Sequence, residues 1–389
     1  MISTSKVTAR QLMLMLILII PGGKYLSLPA IVARELGRDS YFAFIFLFLL
    51  DLVLLTVILL AVRANTNRLN VYQILSQTLS KVVAKAIFLI FAVLFICRTS
   101  VLLVNCVDMF SSTFSVKTNW LGYILPICAV IIFCMRKGVN SFARLAEILF
   151  IFILLALLAI VVFSFKQADL NNLKPMLEQG LGKVIKTSFN YSFWFSDAIF
   201  ILFFMDFLPE KKVKVAPFYL AFFVGAVICI GLDILFVALF DTLSPYNGLA
   251  MSKVSQFTIP LSSLGRLDWL GLVIWLTSIY IKSIILIFCA YRCVNFVFGA
   301  NELKFNWFST IITLIPIIIA PIFIDIKEEV YAIFCIGAGK YFFWFVQYIL
   351  PLFLPLLTYI SNKKQKRCNL SKSTTLQKRK YTTKIIGLS

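Results

Sequence analysis

About ten apolar runs, each close to the length needed to cross a bilayer, constrain this chain more than any other feature. They lie near residues 10–36, 41–62, 86–110, 119–135, 143–164, 184–207, 215–240, 268–298, 305–324 and 340–360. A helix needs roughly 20 apolar residues to span the hydrocarbon. There the backbone must satisfy its own hydrogen bonds, and the runs carry no alternating strand pattern, so they are read as helices. The chain is 61% hydrophobic and 14% charged, against about a quarter charged in soluble domains. The expectation is an all-α polytopic membrane protein with one transmembrane domain over 1–360 and a basic tail over 361–389. The first run is too long, and too closely followed by a second, to be a cleaved signal peptide.

The formal net charge is +20, and its placement sets an orientation. Basic residues collect in cytoplasmic loops. With the N-terminus inside, the inside segments hold Lys6 and Arg10, then Arg63, Arg68, Lys81 and Lys85, then Arg136, Lys137 and Arg144. Lys211, Lys212 and Lys214, Arg292 and Lys304, and the tail from Lys363 follow. The outside segments mix signs, as in Arg34, Glu35, Arg38 and Asp39. An even helix count puts both termini in the cytoplasm. The tail suits anionic lipid headgroups better than nucleic acid, at about 1 kcal/mol for each basic residue near the surface.

Enzymatic chemistry is not expected. The chain has no histidine, which removes the usual general base and metal ligand. Its nine cysteines fall mostly within spans and show no paired metal spacing. No Gly-rich phosphate loop follows a strand. No metal and no cofactor are therefore expected. Residues 63–85 contain Val71-Tyr72-Gln73-Ile74-Leu75, Leu79 and Val82-Val83, a spacing that suits a short amphipathic helix on the membrane surface. Segments 165–185 and 241–267, the second with turns at Pro260 and Gly265, are placed to cover the mouth of a vestibule.

The first run is broken by Pro21-Gly22-Gly23, followed by Lys24. Proline removes a donor and glycine favours unwound backbone. In lipid such backbone survives only when buried in protein or lining a cavity. The helix restarting near Tyr25 presents free N–H groups and a positive dipole end, which suits a carboxylate. Lys24 either adds a charge there or snorkels to the surface. Transporters built from two inverted halves break the first helix of each half. The corresponding part of helix six reads Asn190-Tyr191-Ser192-Phe193-Trp194-Phe195-Ser196-Asp197, polar but without proline or glycine.

Several strings resemble one family, the spore germinant-receptor B subunits (GerAB-like spore permeases), a branch of the amino acid–polyamine–organocation transporters. They are Thr8-Ala9-Arg10-Gln11-Leu12 with Gly22 and Leu26-Ser27-Leu28-Pro29; Arg136-Lys137-Gly138 with Ala143-Arg144-Leu145-Ala146-Glu147-Ile148-Leu149-Phe150; Ser192-Phe193 with Asp197; and Ile281-Lys282-Ser283 with Leu286. The resemblance implies a LeuT-like 5+5 inverted repeat, with helices 1–5 over about 10–164 and helices 6–10 over about 184–360. It implies residence in the inner membrane of a bacterial endospore, with A and C subunits of a nutrient receptor as partners. It also implies a small germinant, commonly an amino acid, as ligand. The family's patterns have a second glycine where this chain has Lys24, and proline and glycine where it has Trp194 and Ser196. The same scaffold would serve a proton- or cation-coupled transporter of amino acids or amines.

The candidate ligand-binding residues are Gly22, Gly23, Lys24, Tyr191, Phe193, Asp197 and Lys282. Lys282 is mid-span, where an ionisable residue costs several kcal/mol unless paired. It would contact the broken helix, stand in for a cation, or hold a structural ion pair. Asp197 would meet an ammonium, whether a ligand's or a lysine's, or cap the second half of helix six. Tyr191, Phe193, Trp194 and Phe195 would wall the site. Asp51 or Asp233 is expected to pair with Arg98 or Lys282. Arg144 and Glu147, three apart at a cytoplasmic turn, are expected to pair on one helix face.

Overall fold

The computed structural model describes residues 7–65, 68–114, 121–208, 214–256, 268–299, 305–323 and 337–365. Pro260, Gly265 and the tail beyond 365 lie outside them. Apart from breaks in the first and sixth and a bend in the tenth, the apolar runs are helical where described. The first run forms α1 (Ala9–Ile19) and α2 (Lys24–Leu36), and α3 (Ser40–Ala64) follows. A short α4 (Val71–Thr78) leads into α5 (Lys81–Phe114), α6 (Leu121–Lys137) and α7 (Val139–Phe165). The sixth run is α8 (Leu181–Asn190) followed by a tight three-residue-per-turn helix over Asp197–Phe207. Then come α9 (Ala216–Phe240), α10 (Ala250–Gln256), α11 (Asp268–Phe298), α12 (Trp307–Phe323), α13 (Gly339–Leu352) and α14 (Leu354–Gln365).

Among the described residues, five helical stretches are long and apolar enough to cross a membrane, or up to seven if each of two bent pairs is one span. The first of the five, Ala9–Ala64, contains two of the ten runs. α6 and α12 are shorter, at 17 residues each. The outer face of α7 exposes Ile148, Ile151, Phe152, Leu155, Leu158 and Val162. Their spacing of three or four residues puts them on one stripe. In water such a stripe would be an association surface; in lipid it is the solvated face. The chain is an all-α polytopic membrane protein.

α11 runs through the interior and packs most extensively on α5. Phe203 fixes the tight helix against α5, its ring 5.8, 5.4 and 5.0 Å from those of Phe88, Phe91 and Phe95. Both ends of the bundle are tied. Beyond α2, Arg38 makes two bonds to Asp241 at 2.5 and 3.0 Å and donates to the Lys174 carbonyl at 2.7 Å. Beside it, the Asp39 carboxylate accepts the amides of Leu177 and Gln179 at 2.7 and 2.9 Å. At the other end the Val7 amide donates to the Phe207 carbonyl at 3.0 Å. Arg292 there holds Asp206 through two bonds of 2.8 and 2.6 Å.

Three local expectations change. The surface helix is confined to α4, with Val71, Ile74 and Leu75 buried, while Val82 and Val83 belong to α5. Glu147 does not pair with Arg144: it accepts from Gln11 at 3.2 Å and lies 3.8 Å from Arg10. Residues 361–365 continue α14, and Ser361 donates to the Gln77 side chain at 2.8 Å.

Candidate functional site

Pro21, Gly22 and Gly23 interrupt the first span as their chemistry requires. α1 stops at Ile19, and Gly23 takes a left-handed φ of 82° before α2 restarts at Lys24. Each glycine also clears a path. A Cβ on Gly23 would lie 2.3 Å from Leu102 of α5, and one on Gly22 would lie 3.3 Å from the Lys282 stem. The break leaves the Ile20 carbonyl without its helical partner, and the Lys24 ammonium donates to it at 2.7 Å.

Helix six also breaks, without proline or glycine. α8 ends at Asn190, a short turn spans Ser192–Trp194, Phe195 is extended and Ser196 is left-handed at φ 65°. The two halves are bent by 55°. Such a conformation costs a non-glycine residue roughly 1 kcal/mol. It is held from a distance: both oxygens of Asp51 on α3 accept the Ser196 amide at 2.9 Å, and Tyr348 of α13 donates to Asp51 at 2.9 Å. We predict that Ser196→Gly stays within about 1 kcal/mol of the parent. Ser196→Val should lose about 2 kcal/mol or more, since β-branched residues are disfavoured there. Thermal unfolding of the purified chain in detergent measures both.

The two breaks meet around Asp197. One of its oxygens takes Lys24 and, at 3.1 Å, Lys282 of α11. The other takes Arg98 of α5 at 3.0 Å, and the same guanidinium nitrogen donates to the Phe195 carbonyl at 2.5 Å. Lys24 also lies over two aromatic rings, 4.9 Å from the centre of Phe195 and 5.7 Å from that of Phe48. Lys24 is 1% exposed and Asp197 2%. With Asp51 the group has three cations against two carboxylates. A buried charge without a partner costs several kcal/mol, so Asp197 is the hub on which three helices depend.

Of the candidate residues, Gly22, Gly23, Lys24, Asp197 and Lys282 are brought together. Tyr191 and Phe193 make contacts with other groups. The Tyr191 hydroxyl donates to Glu35 at 2.9 Å, and the Phe193 ring packs on Phe343 at 4.9 Å. Phe195, as expected, and Phe48 supply the aromatic faces over Lys24. The expected pairing of Asp51 or Asp233 with Arg98 or Lys282 is also corrected. Asp51 holds the Ser196 turn, Asp233 accepts from Ser40 at 2.9 Å, and Arg98 and Lys282 converge on Asp197. Arg98 carried a signal, an arginine within an apolar run; Tyr348 and Phe48 carried none. Among the described residues no group of Cys, Asp or Glu could hold a metal ion.

Two discontinuous spans meeting at a buried charge cluster define a transporter-like membrane protein. The chain belongs to the spore permease family, described as "Spore germination protein", which matches residues 6–329. It is 26% identical over 211 residues to Spore germination protein YndE of Bacillus subtilis (strain 168), covering 51% of this chain and 54% of that protein. It is 24% identical over 257 residues to Spore germination protein XB of Bacillus anthracis, covering 65% of this chain and 70% of that protein. The match thus spans about half the length of the first relative and somewhat more of the second.

Proposed function

We propose that this chain is the nutrient-sensing membrane subunit of a spore germinant receptor. It binds a small germinant of amino-acid size at the paired breaks and signals through A and C subunits. The convergence of Lys24, Lys282 and Arg98 on Asp197 carries the reading. Stability alone does not demand it, because apolar residues of similar volume often stabilise as well as buried ion pairs. The breaks in the first and sixth spans support two inverted halves, helices 1–5 and helices 6–10, in a LeuT-like arrangement. The distribution of basic residues supports an orientation in the inner spore membrane with both termini on the core side. The germinant then enters from the end tied by Arg38 and Asp241. Binding shifts the bundle by its differential affinity for two conformations, and partner subunits read that shift. The reading assigns no catalysis to the chain.

Deleting the chain's gene should abolish germination in response to a nutrient, measured by loss of optical density of a spore suspension. Purified chain in proteoliposomes should accumulate no labelled nutrient. Concentrative uptake by the chain alone would overturn the sensor and establish a proton- or cation-coupled transporter on the same scaffold.

A further inference from the structure

The acceptors that face the three cations already carry the chain's own donors, and the cations have donors to spare. Both oxygens of Asp197 are taken by the chain's own cations. The oxygens of Asp51 accept the Ser196 amide and the Tyr348 hydroxyl. The Ile20 carbonyl is taken by Lys24, and the Phe195 carbonyl by Arg98 and by the Ser196 hydroxyl at 2.5 Å. The cations are only partly used. Lys24 engages two of its three N–H groups, Lys282 one of three and Arg98 two of five.

Lys24 itself occupies what a bound ammonium would need. A main-chain carbonyl, a carboxylate and two ring faces surround its Nζ, and it is buried. Such a cage binds small amines in general. Here a tethered amine already fills it.

We propose that Lys24 is a built-in occupant of the amine subsite, so that the site takes a small carboxylate without an ammonium group in preference to an α-amino acid. This rests on the germinant-site reading and narrows it. The carboxylate supplies the acceptors that Arg98 and Lys282 lack. An amino acid brings the same carboxylate but adds an ammonium that must compete with Lys24, Lys282 and Arg98 for Asp197 and the Ile20 and Phe195 carbonyls, beside three cations. Shortening Lys24 to alanine keeps a good helix former at the start of α2 and opens the cage.

The test pairs two compounds that differ only in that group, lactate and alanine, with calorimetric titration of the purified full chain. The parent chain should bind lactate at least tenfold more tightly than alanine, a difference of about 1.4 kcal/mol. Lys24→Ala should reverse the order by a similar factor. Lys24→Met, which fills the cage without charge, should gain no affinity for alanine. Parent chain that binds alanine as tightly as lactate overturns the proposal and leaves a ligand site standing. A Lys24→Ala chain that folds, shown by an unchanged unfolding transition, yet keeps the parent's preference also overturns it. Failure of parent and variants to bind any of a panel of small carboxylates and amines removes the site reading, and this proposal with it.

Discussion

Replacing Asp197 by alanine should be the most damaging single change in the protein. It leaves Lys24, Lys282 and Arg98 buried without their shared carboxylate. Removing one partner of a buried pair costs about 3–5 kcal/mol, and here three cations lose the same partner at once. The Ile20 carbonyl still holds Lys24 and the Phe195 carbonyl still holds Arg98, so Lys282 is left worst off. The expected result is a large fall in the unfolding temperature of the purified chain and loss of the nutrient response. Adding Lys282→Met to Asp197→Ala should recover part of the stability, because it removes the cation with no second partner. It should not recover the response. A double variant no more stable than Asp197→Ala would show that Lys282 is not the charge made costly by the change.

Gly23→Ala should produce the second-largest loss. Gly23 has φ 82°, and a Cβ there would lie 2.3 Å from the Leu102 Cδ1 atom. The left-handed backbone costs a side-chain-bearing residue about 1–2 kcal/mol. Leu102 is itself buried and must leave its packed position, which adds roughly 1–3 kcal/mol for overpacking. The two contributions can be separated. Leu102→Ala in the same chain relieves the overlap but not the dihedral strain. Gly23→Ala should therefore cost less in a Leu102→Ala background than in the parent, by the overlap part alone. Equal losses in both backgrounds would leave backbone strain as the whole effect. Denaturation midpoints of the four chains settle it.

The two breaks were unequally legible in the sequence, for a physical reason. The first is written in local chemistry: proline lacks a donor, glycine tolerates a left-handed φ, and both act wherever they occur. The second depends on Ser196, an ordinary residue held left-handed by Asp51, which is 145 positions away in the chain. No window of sequence contains both. The same limit applies to the charges. An arginine or lysine inside an apolar run announces that it is buried and needs a partner. Which partner it finds depends on which helices touch: Asp197 was legible as a partner for Lys24 or Lys282, whereas Arg98 was read toward Asp51 or Asp233. The aromatic wall was legible in part. Around Asp197 the chain turns as a three-residue helix, which a spacing of 3.6 residues per turn does not describe. Phe195, extended between two such turns, faces the lysine, while the Phe193 ring packs on Phe343.

α2 connects the buried charges to the surface. Its 13 residues, with Pro29 among them, run about 20 Å at 1.5 Å per residue. Its first residue, Lys24, sits in the charge cluster. Its other end carries Glu35, bonded to Thr187 at 2.7 Å and Tyr191 at 2.9 Å on the first half of helix six. The Arg38 clasp lies just beyond it. A displacement of α2 as a unit that moves Lys24 would therefore also strain the Glu35 contacts and the Arg38 clasp at its other end. A reporter at the Arg38–Asp241 clasp would register events at a site that no reagent in solution can reach.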